Sequence, residues 1–257
     1  MELTFLGTGT SQGVPVIGCQ CRVCRSTDER DRRLRTSAMV EADGVRIVID
    51  AGPDFRQQML REGVRHIDAI LLTHGHTDHV AGLDDVRAFN FVDYPTIHRV
   101  DIYAAPYTSQ TALKVFDYAF AQNKYRGVPE IDLHTIDLSH SFKVEGVDVV
   151  PISGRHSRFE VTGFRIGKLG YLTDFKEIAD EEIEKLKGVD VLVVNALRFE
   201  PHDSHFNVAE ALDLIARVAP RESYLIHMSH EIGLYDEASS RLPEGVRLAY
   251  DGLRVKI

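Results

Sequence analysis

The residues best suited to chemistry lie together in one short segment, Thr73-His74-Gly75-His76-Thr77-Asp78-His79, directly after the apolar run Ile70-Leu71-Leu72. Such a run is typical of a buried strand. Neutral imidazole and carboxylate together suit Zn, Mn or Fe. On a tight loop, His74 and His76 can point to one metal ion while Asp78 and His79 point to a neighbouring ion. The segment therefore predicts a metal site, and a polar surface loop with incidental histidines is the alternative.

The three cysteines form a second candidate site. Cys19, Cys21 and Cys24 are the whole cysteine content of the chain. A secreted disulfide framework would normally have an even and dispersed set, so we expect a reducing cytoplasm. Three thiolates this close favour one structural zinc ion with a fourth ligand from elsewhere. A redox-active thiol cluster is the alternative.

These side chains can be positioned only by a folded domain, and the composition is that of a chain able to form one. The chain has 257 residues, of which 44% are hydrophobic and 27% charged, as in soluble globular proteins. That length fits one domain covering residues 1–257. Apolar runs of strand length lie at residues 3–6, 38–41, 45–49, 69–72, 101–104, 147–152, 163–166, 170–172, 189–194, 223–226 and 247–249. Helical periodicity lies at residues 55–62, 108–122, 179–187 and 208–219.

This order of elements predicts an α/β domain with two mixed β-sheets, rather than a doubly wound parallel sheet. Thr108 and Asn207 are predicted to cap two of the helices. The segment Asp84–Leu133 holds a helix and several aromatic residues. It is predicted either to cover a site as a lid or to be an ordinary core helix with its loops.

The charge narrows the range of partners. Lysine and arginine total 30 against 39 acidic residues, which gives a net charge of −9. Long nucleic acids require a basic surface, so we expect none as a partner. The N-terminus has no basic segment followed by an apolar one, and no run is long enough to cross a membrane, so neither a signal peptide nor a membrane partner is expected.

Gly7-Thr8-Gly9-Thr10-Ser11-Gln12-Gly13 follows a predicted strand and invites a dinucleotide-binding interpretation. Its third glycine comes one residue late, and Pro15 and Gly18 stand where a helix should begin. The segment is therefore predicted to be a tight glycine turn.

With its His-x-His-x-Asp-His loop, the chain resembles the metallo-β-lactamase superfamily, whose fold is a four-layer αββα sandwich. Later histidines and an aspartate recur in the family's order. His156 follows the strand-like Pro151-Ile152, Asp174 ends Gly170-Tyr171-Leu172-Thr173-Asp174, and His227 ends Ser223-Tyr224-Leu225-Ile226-His227. The resemblance implies one metal held by His74, His76 and His156, a second held by Asp78, His79 and His227, and Asp174 with a hydroxide bridging the two.

The CxCxxC segment and the ending His227-Met228-Ser229-His230 are similar to the phosphoribosyl cyclic phosphodiesterase branch of that superfamily, which is found with carbon–phosphorus lyase. This resemblance assigns His230 to the zinc of Cys19, Cys21 and Cys24. It also implies a homodimer. The cofactors expected are two divalent ions, Zn or Mn, and one structural Zn.

Phosphodiesterases of the superfamily carry a histidine that is not a ligand and that protonates the leaving group. His205 matches it best, His202 is its rival, and a helix-capping or surface role is the alternative. The expected function is hydrolysis of a small phosphate diester, open or cyclic, by the bridging hydroxide, with Asp78 orienting that hydroxide. The alternatives are a thioester or lactone hydrolase, a nuclease that processes tRNA 3′ ends, and a metal-binding regulatory module without turnover.

Overall fold

The computed structural model describes all 257 residues. Its fourteen strands are β1 Glu2–Gly7, β2 Ser37–Ala42, β3 Val45–Ile49, β4 Ala69–Leu72, β5 Val100–Ala104, β6 Ile131–Thr135, β7 Phe142–Val144, β8 Val147–His156, β9 Phe159–Ile166, β10 Leu169–Leu172, β11 Val191–Asn195, β12 Glu222–Ile226, β13 Val246–Leu248 and β14 Arg254–Lys256. Its helices are α1 Phe55–Glu62, α2 Thr77–Val80, α3 Arg87–Asn90, α4 Pro106–Val115, α5 Asp117–Phe120, α6 Asp180–Lys185, α7 Val208–Val218 and α8 Tyr235–Ser239.

The strands form two mixed sheets of seven. The order in the first is β14-β1-β2-β3-β4-β5-β6, and the order in the second is β13-β12-β11-β10-β9-β8-β7. Strands β3 to β6 run parallel in the first sheet, and β10 to β13 run parallel in the second. The remaining pairs are antiparallel. In parallel strands the carboxyl ends share one edge, which is where the loops of a site can converge.

Three apolar layers hold the sheets and helices together. The central layer lies between the sheets, with Phe5 and Ile47 of the first facing Phe164 and Tyr224 of the second. The outer face of the first sheet packs under α1, α3 and α4, and the outer face of the second packs under α6 and α7. The order is helix, sheet, sheet, helix, which confirms the predicted αββα sandwich with two mixed sheets.

Several local predictions need correction. Thr108 does not cap a helix, because α4 begins at Pro106, whose missing N–H and fixed φ suit a first helical position. Residues 108–122 do not form one helix either, since α4 ends at Val115 and a short α5 follows. Asn207 does cap α7, and its side chain accepts from the N–H of Glu210 while Glu210 bonds back.

The glycine segment after β1 is a tight turn, as predicted, and no helix follows it. A Cβ on Gly7 would lie 1.9 Å from the carbonyl oxygen of Arg35, so only glycine allows that approach. Gly9 forms bridges to Arg35 on one side and to Met228 on the other. The turn therefore joins the N-terminal sheet to the chain just after β12.

The segment Asp84–Leu133 contains β5 and the start of β6, which belong to the first sheet, together with α3, α4 and α5. Its role as a lid stays a prediction. None of the helices combines the length and the apolar character that crossing a membrane would require.

Candidate metal centre

The side chains predicted to bind metal meet at one end of the sandwich, because each follows the end of a strand. The His74 to His79 loop follows β4, and His156 is the last residue of β8. Asp174 comes two residues after β10, and His227 comes directly after β12. The two sheets thus contribute facing halves of one cluster.

The cluster has several overlapping groups of ligand atoms, and two of them share no residue; within each of these two, every atom lies within 4.8 Å of the others. The first group is His74, His76 and His156. His74 Nε2 and His76 Nδ1 are 3.0 Å apart. The second group is Asp78, His79 and His227.

Asp174 lies between the two groups. Its Oδ1 is 3.1 Å from His227 Nε2, and its Oδ2 is 3.3 Å from His79 Nε2. Its ligand atoms also lie within 4.8 Å of His74 and His79. This carboxylate is therefore placed to serve both groups.

The polar atoms of the cluster fit divalent cations. His79 Nδ1 bonds Asp50, which leaves Nε2 as the nitrogen that a metal ion can reach, and this atom faces carboxylate oxygens of Asp78 at 3.1 Å and Asp174 at 3.3 Å. His79 Nε2 and His227 Nε2 are buried without a hydrogen-bond partner. Unpaired buried polar atoms are rare in folded proteins. A divalent cation bound among these nitrogens and carboxylate oxygens, in place of a proton on His79, would satisfy all of them.

Asp50 is a residue of the site that the sequence reasoning missed. It is fully buried, and its carboxylate accepts from His79 Nδ1 at 2.6 Å and from the N–H and hydroxyl of Thr73 at 2.8 Å each. Such a partner fixes the tautomer of a ligand histidine and raises its basicity. The only sequence signal was its position directly after the buried run 45–49.

The backbone is strained at three points of the site. Asp50, Asp174 and His227 have φ of 63°, 63° and 56°, the left-handed region that residues with a side chain seldom occupy. Each directly or closely follows a strand that ends at the cluster. Strain of this kind persists where the surroundings impose it, and it is concentrated at functional sites.

The protonation states follow from burial and neighbouring charge. Burial alone would lower the pKa of His79, but the carboxylates of Asp174, Asp50 and Asp78 outweigh it and raise that pKa well above its ordinary value. Burial alone would raise the pKa of Asp174, but His227 and His79 lower it well below its ordinary value. Burial lowers the pKa of His74, which favours the neutral ring that metal binding needs.

His205 stands beside the cluster. Its ring centroid is 4.5 Å from that of His156 and 4.7 Å from that of His227, and its Nδ1 is 3.5 Å from Asp174 Oδ1. That nitrogen is buried without a partner. Burial first, and then nearby His227, lower the pKa of His205 to about 2, so the ring is neutral in the free protein. The rival His202 lies farther out, with its ring 5.4 Å from that of His205, and it does not join the cluster.

The cysteine site is also assembled. The Sγ atoms of Cys19, Cys21 and Cys24 lie 3.4, 3.3 and 3.5 Å from His230 Nδ1. A tetrahedral zinc with bonds of about 2.3 Å to sulfur and about 2.0 Å to nitrogen spaces those atoms by about 3.5 Å. The thiols are not joined in a disulfide. The N–H of Cys24 and then His230 lower the pKa of Cys21 to about 6, which favours the thiolate.

The arginines in the segment from Arg22 to Arg35, which overlaps the cysteines, mostly form ion pairs within the protein. Arg22 pairs with Glu237, Arg30 with Asp28 and Asp236, and Arg35 with Asp54. Arg33 is buried, with Asp31 3.8 Å away. Their carboxylate partners occupy the guanidinium N–H groups that would otherwise bind a phosphate.

Comparison with known proteins agrees with this geometry. A family model described as "Beta-lactamase superfamily domain" matches residues 45–228. The crystal structure of a "New Diphosphatase from the PhnP Family" is 41% identical, covers 100% of this chain and 97% of its own, and superposes with a TM-score of 0.91. The chain belongs to the metallo-β-lactamase superfamily. It is a hydrolase-fold protein of the PhnP-like branch, as its motifs predicted.

Two further relatives differ in their names. A Porphyromonas gingivalis protein named Octanoyltransferase is 42% identical over 100% of this chain, but this chain spans only 52% of it. Zn²⁺-bound PqqB from Methylobacterium extorquens is 23% identical, with a TM-score of 0.77 and complete coverage of both chains. That second likeness shows the shared fold alone.

Proposed function

We propose that this protein hydrolyses a small phosphate diester, cyclic or open, at phosphorus with the help of two divalent metal ions. The observation that carries the proposal is His205, a buried imidazole that lies within 4.8 Å of ligand atoms of His156 and Asp174, although two groups of three ligands form without it. Cleavage of a phosphate ester releases an alkoxide, which needs a proton. The PhnP-family relative, named a diphosphatase, supports attack at phosphorus.

The residues of the first group would hold one ion, those of the second group would hold the other, and Asp174 would contact both. Bound divalent ions would neutralise a phosphate group and make water acidic enough to act as a nucleophile near neutral pH. Zn and Mn both accept imidazole and carboxylate ligands. The cysteine site would hold a separate structural Zn.

Asp78 and His205 would have separate roles in handling protons during the reaction. Asp78 stays ionised, because the neighbouring His79 and His227 lower its pKa against the opposing effect of burial. Its carboxylate would accept a hydrogen bond from the attacking water and orient it. A phosphate beside His205 would favour the charged imidazole, since a nearby negative charge raises a histidine pKa. His205 would then give its proton to the leaving oxygen.

A pair of variants tests the role of His205. We expect His205→Ala to lower kcat for methyl riboside 2,3-cyclic phosphate, whose leaving group is an alkoxide, by about 10²- to 10⁴-fold, as for loss of a general acid, with metal content unchanged. His202→Ala, which changes a neighbouring but outlying ring, should stay within about threefold by the same reasoning. A loss below about tenfold for His205→Ala would exclude the general-acid role.

Hydrolysis of an acyl thioester is a second candidate, because the 42% identical relative is named Octanoyltransferase. A thiol of pKa about 8.5 leaves without a proton, whereas an alkoxide does not leave readily. His205→Ala would therefore spare thioester cleavage and slow the cleavage of a diester that releases an alkoxide. Octanoyl-coenzyme A assayed beside the diester separates the two functions.

A further inference from the structure

An apolar cleft opens between α1 and α3, on the outer side of the first sheet, and we call it the α1–α3 cleft. Its volume is about 360 Å³, which is in the range of small-ligand sites. Seven of its ten lining residues are apolar, and the other three are Arg56, Arg65 and Asp85. None of the ten belongs to the candidate metal centre, so the cleft is a separate feature of the molecule.

The local sequence explains why the cleft stays open. Phe55 and Met59 recur at i and i+4 and give α1 one apolar wall. The helix ends at Gly63, whose φ of 64° is left-handed, and the N–H of Val64 then bonds back to the carbonyl oxygen of Met59. This type of helix end brings the apolar residue after the glycine against the last turn. The opposite wall, on α3, presents only the small side chain of Ala88, so no side chain fills the space.

The cleft exposes apolar area that the core does not use. Phe55 and Phe89 are buried at its inner end, with ring centroids 6.1 Å apart, and they belong to the core under the first sheet. Leu60 and Val92 also line the cleft, but they are 64% and 51% exposed and belong to no apolar cluster. Single exposed apolar side chains are ordinary, whereas two that continue an apolar cleft indicate a binding surface.

Two arginines of the cleft have no partner within the protein. Arg56 and Arg65 form neither an ion pair nor a side-chain hydrogen bond, whereas Arg61, also on α1, pairs with Glu62. Asp85 is unpaired as well, so the three charged residues leave one net positive charge at the cleft. In a chain whose net charge is −9, this local excess favours a ligand with a single negative charge. Guanidinium groups hold a carboxylate by paired hydrogen bonds.

We propose that the α1–α3 cleft binds a medium-chain fatty acid anion, with its aliphatic chain in the cleft and its carboxylate at Arg56 and Arg65. The lining residues carry no hydroxyl, amide or imidazole group, which suits a ligand whose only polar group is an anion. A helix of a partner protein is too large, because a single turn, about 10–12 Å across and 5.4 Å long, already fills roughly 420–610 Å³. The inference is independent of the proposed hydrolysis, and loss of that proposal would leave it standing.

Decanoate is the probe, and NMR of the methionine methyl groups locates it. The chain has four methionines, and only Met59 lines the cleft. We expect decanoate to shift the Met59 methyl signal saturably and to leave those of Met1, Met39 and Met228 unchanged. Octanoate should bind up to about 15-fold more weakly, because it buries two fewer methylene groups. 1-Decanol should bind about 2- to 30-fold more weakly, because it forms no ion pair with the two arginines.

Two sets of variants test the charged and the apolar parts of the site. Arg56→Gln combined with Arg65→Gln should weaken decanoate binding by about 2- to 30-fold, the effect of two exposed ion pairs, and leave 1-decanol binding unchanged. The matched control is Arg126→Gln combined with Arg221→Gln, which removes two exposed arginines elsewhere on the surface. Ala88→Phe should fill the cleft and abolish binding of both ligands, whereas Ala88→Ser should retain it.

Three results would overturn the proposal. The first is a Met59 signal that does not move in saturating decanoate. The second is equal binding of decanoate and 1-decanol, because the arginines would then contribute nothing. The third is a Met59 signal that moves with protein concentration alone, which would identify the cleft as a contact between copies of this chain.

Thermal unfolding without ligand shows whether each variant keeps its fold. An Ala88→Phe variant with an unchanged thermal midpoint and lost binding supports the cleft as the site. The same variant with an unchanged midpoint and undiminished decanoate binding would contradict it. If Ala88→Phe does not fold, the arginine pair and its control decide the question.

Discussion

The Asp50→Asn substitution probes how the site holds its metals through a residue that is not itself a ligand. Asp50 Oδ2 accepts from His79 Nδ1 and from the Thr73 hydroxyl, while Oδ1 accepts from the Thr73 N–H. An asparagine that keeps its oxygen on the Thr73 N–H directs its NH₂ group at His79 Nδ1. His79 must then carry its proton on Nε2, the nitrogen that faces Asp78 and Asp174. That tautomer cannot bind a metal through Nε2.

Turning the amide over does not relieve the conflict, because its NH₂ group would then face the Thr73 N–H in a fully buried position. Loss of such an orienting partner typically lowers metal affinity by roughly 10- to 100-fold, or about 1.4 to 2.8 kcal/mol. Because the proposed arrangement uses His79 as a ligand of only one ion, we expect that ion to bind more weakly by that factor and the other to change little. The isosteric, neutral amide leaves the fold intact.

Chelator competition on metal-free protein measures both affinities, and circular dichroism checks the fold. Asp101→Asn is the matched control, because Asp101 bonds His134 Nε2 at 2.8 Å in an exposed pair outside the site. Both affinities within about twofold of the unaltered protein would refute the reasoning, because the effect expected is at least about tenfold.

Three further predictions follow. Cys21→Ser should abolish binding of the structural zinc and lower the thermal midpoint, since one of four tetrahedral ligands is lost; unchanged zinc content by mass spectrometry would contradict this. Asp174→Ala should leave at most one ion at the active site, and two ions retained would disprove the bridging role. Burial raises the pKa of Asp251 to about 6. The folded state therefore holds this proton more tightly than the unfolded chain does, so the stability that Asp251 contributes is fully present below about pH 4 and is lost as pH rises through about 6. Asp251→Asn should remove up to about 3 kcal/mol of that decline in urea unfolding, and an unchanged pH profile would count against it.

Much of the candidate metal centre could be predicted from sequence because its candidate ligands directly follow strands. The carboxyl ends of parallel strands meet at one edge, so an apolar run followed by histidine or aspartate already limits where those side chains lie. The motif order then supplied His156, Asp174 and His227. The structure brings all three to the loop that carries His74 and His79.

Asp50 could not be predicted in the same way. It follows a strand as Asp174 does, but its role depends on the rotamers of Thr73 and His79, and no local pattern encodes these. Nor could the proximity of Tyr107 to Phe159 be predicted, because these residues are far apart in sequence and meet only through the packing of α4 on the metal loop.

The fold was predictable where hydrophobic periodicity was strong and not where elements were short. Strands β7 and β14 have three residues each, too few for a clear alternation. Strand β6 lies at the edge of its sheet, and its apolar run is interrupted by Asp132 and His134. The start of α4 differs from the prediction. The sequence pattern places it at Thr108, whereas the helix begins at Pro106, a residue type that favours the first helical position.

The central claim is metal-dependent attack at phosphorus, and one titration tests it most directly. Purified metal-free protein with its cysteine site refilled by zinc is titrated with Mn²⁺ or Zn²⁺ while cleavage of bis-p-nitrophenyl phosphate and octanoyl-coenzyme A is followed. The account predicts diester cleavage that rises to a plateau at two further ions per chain, without thioester cleavage. A fully metallated protein that leaves the diester intact would contradict it.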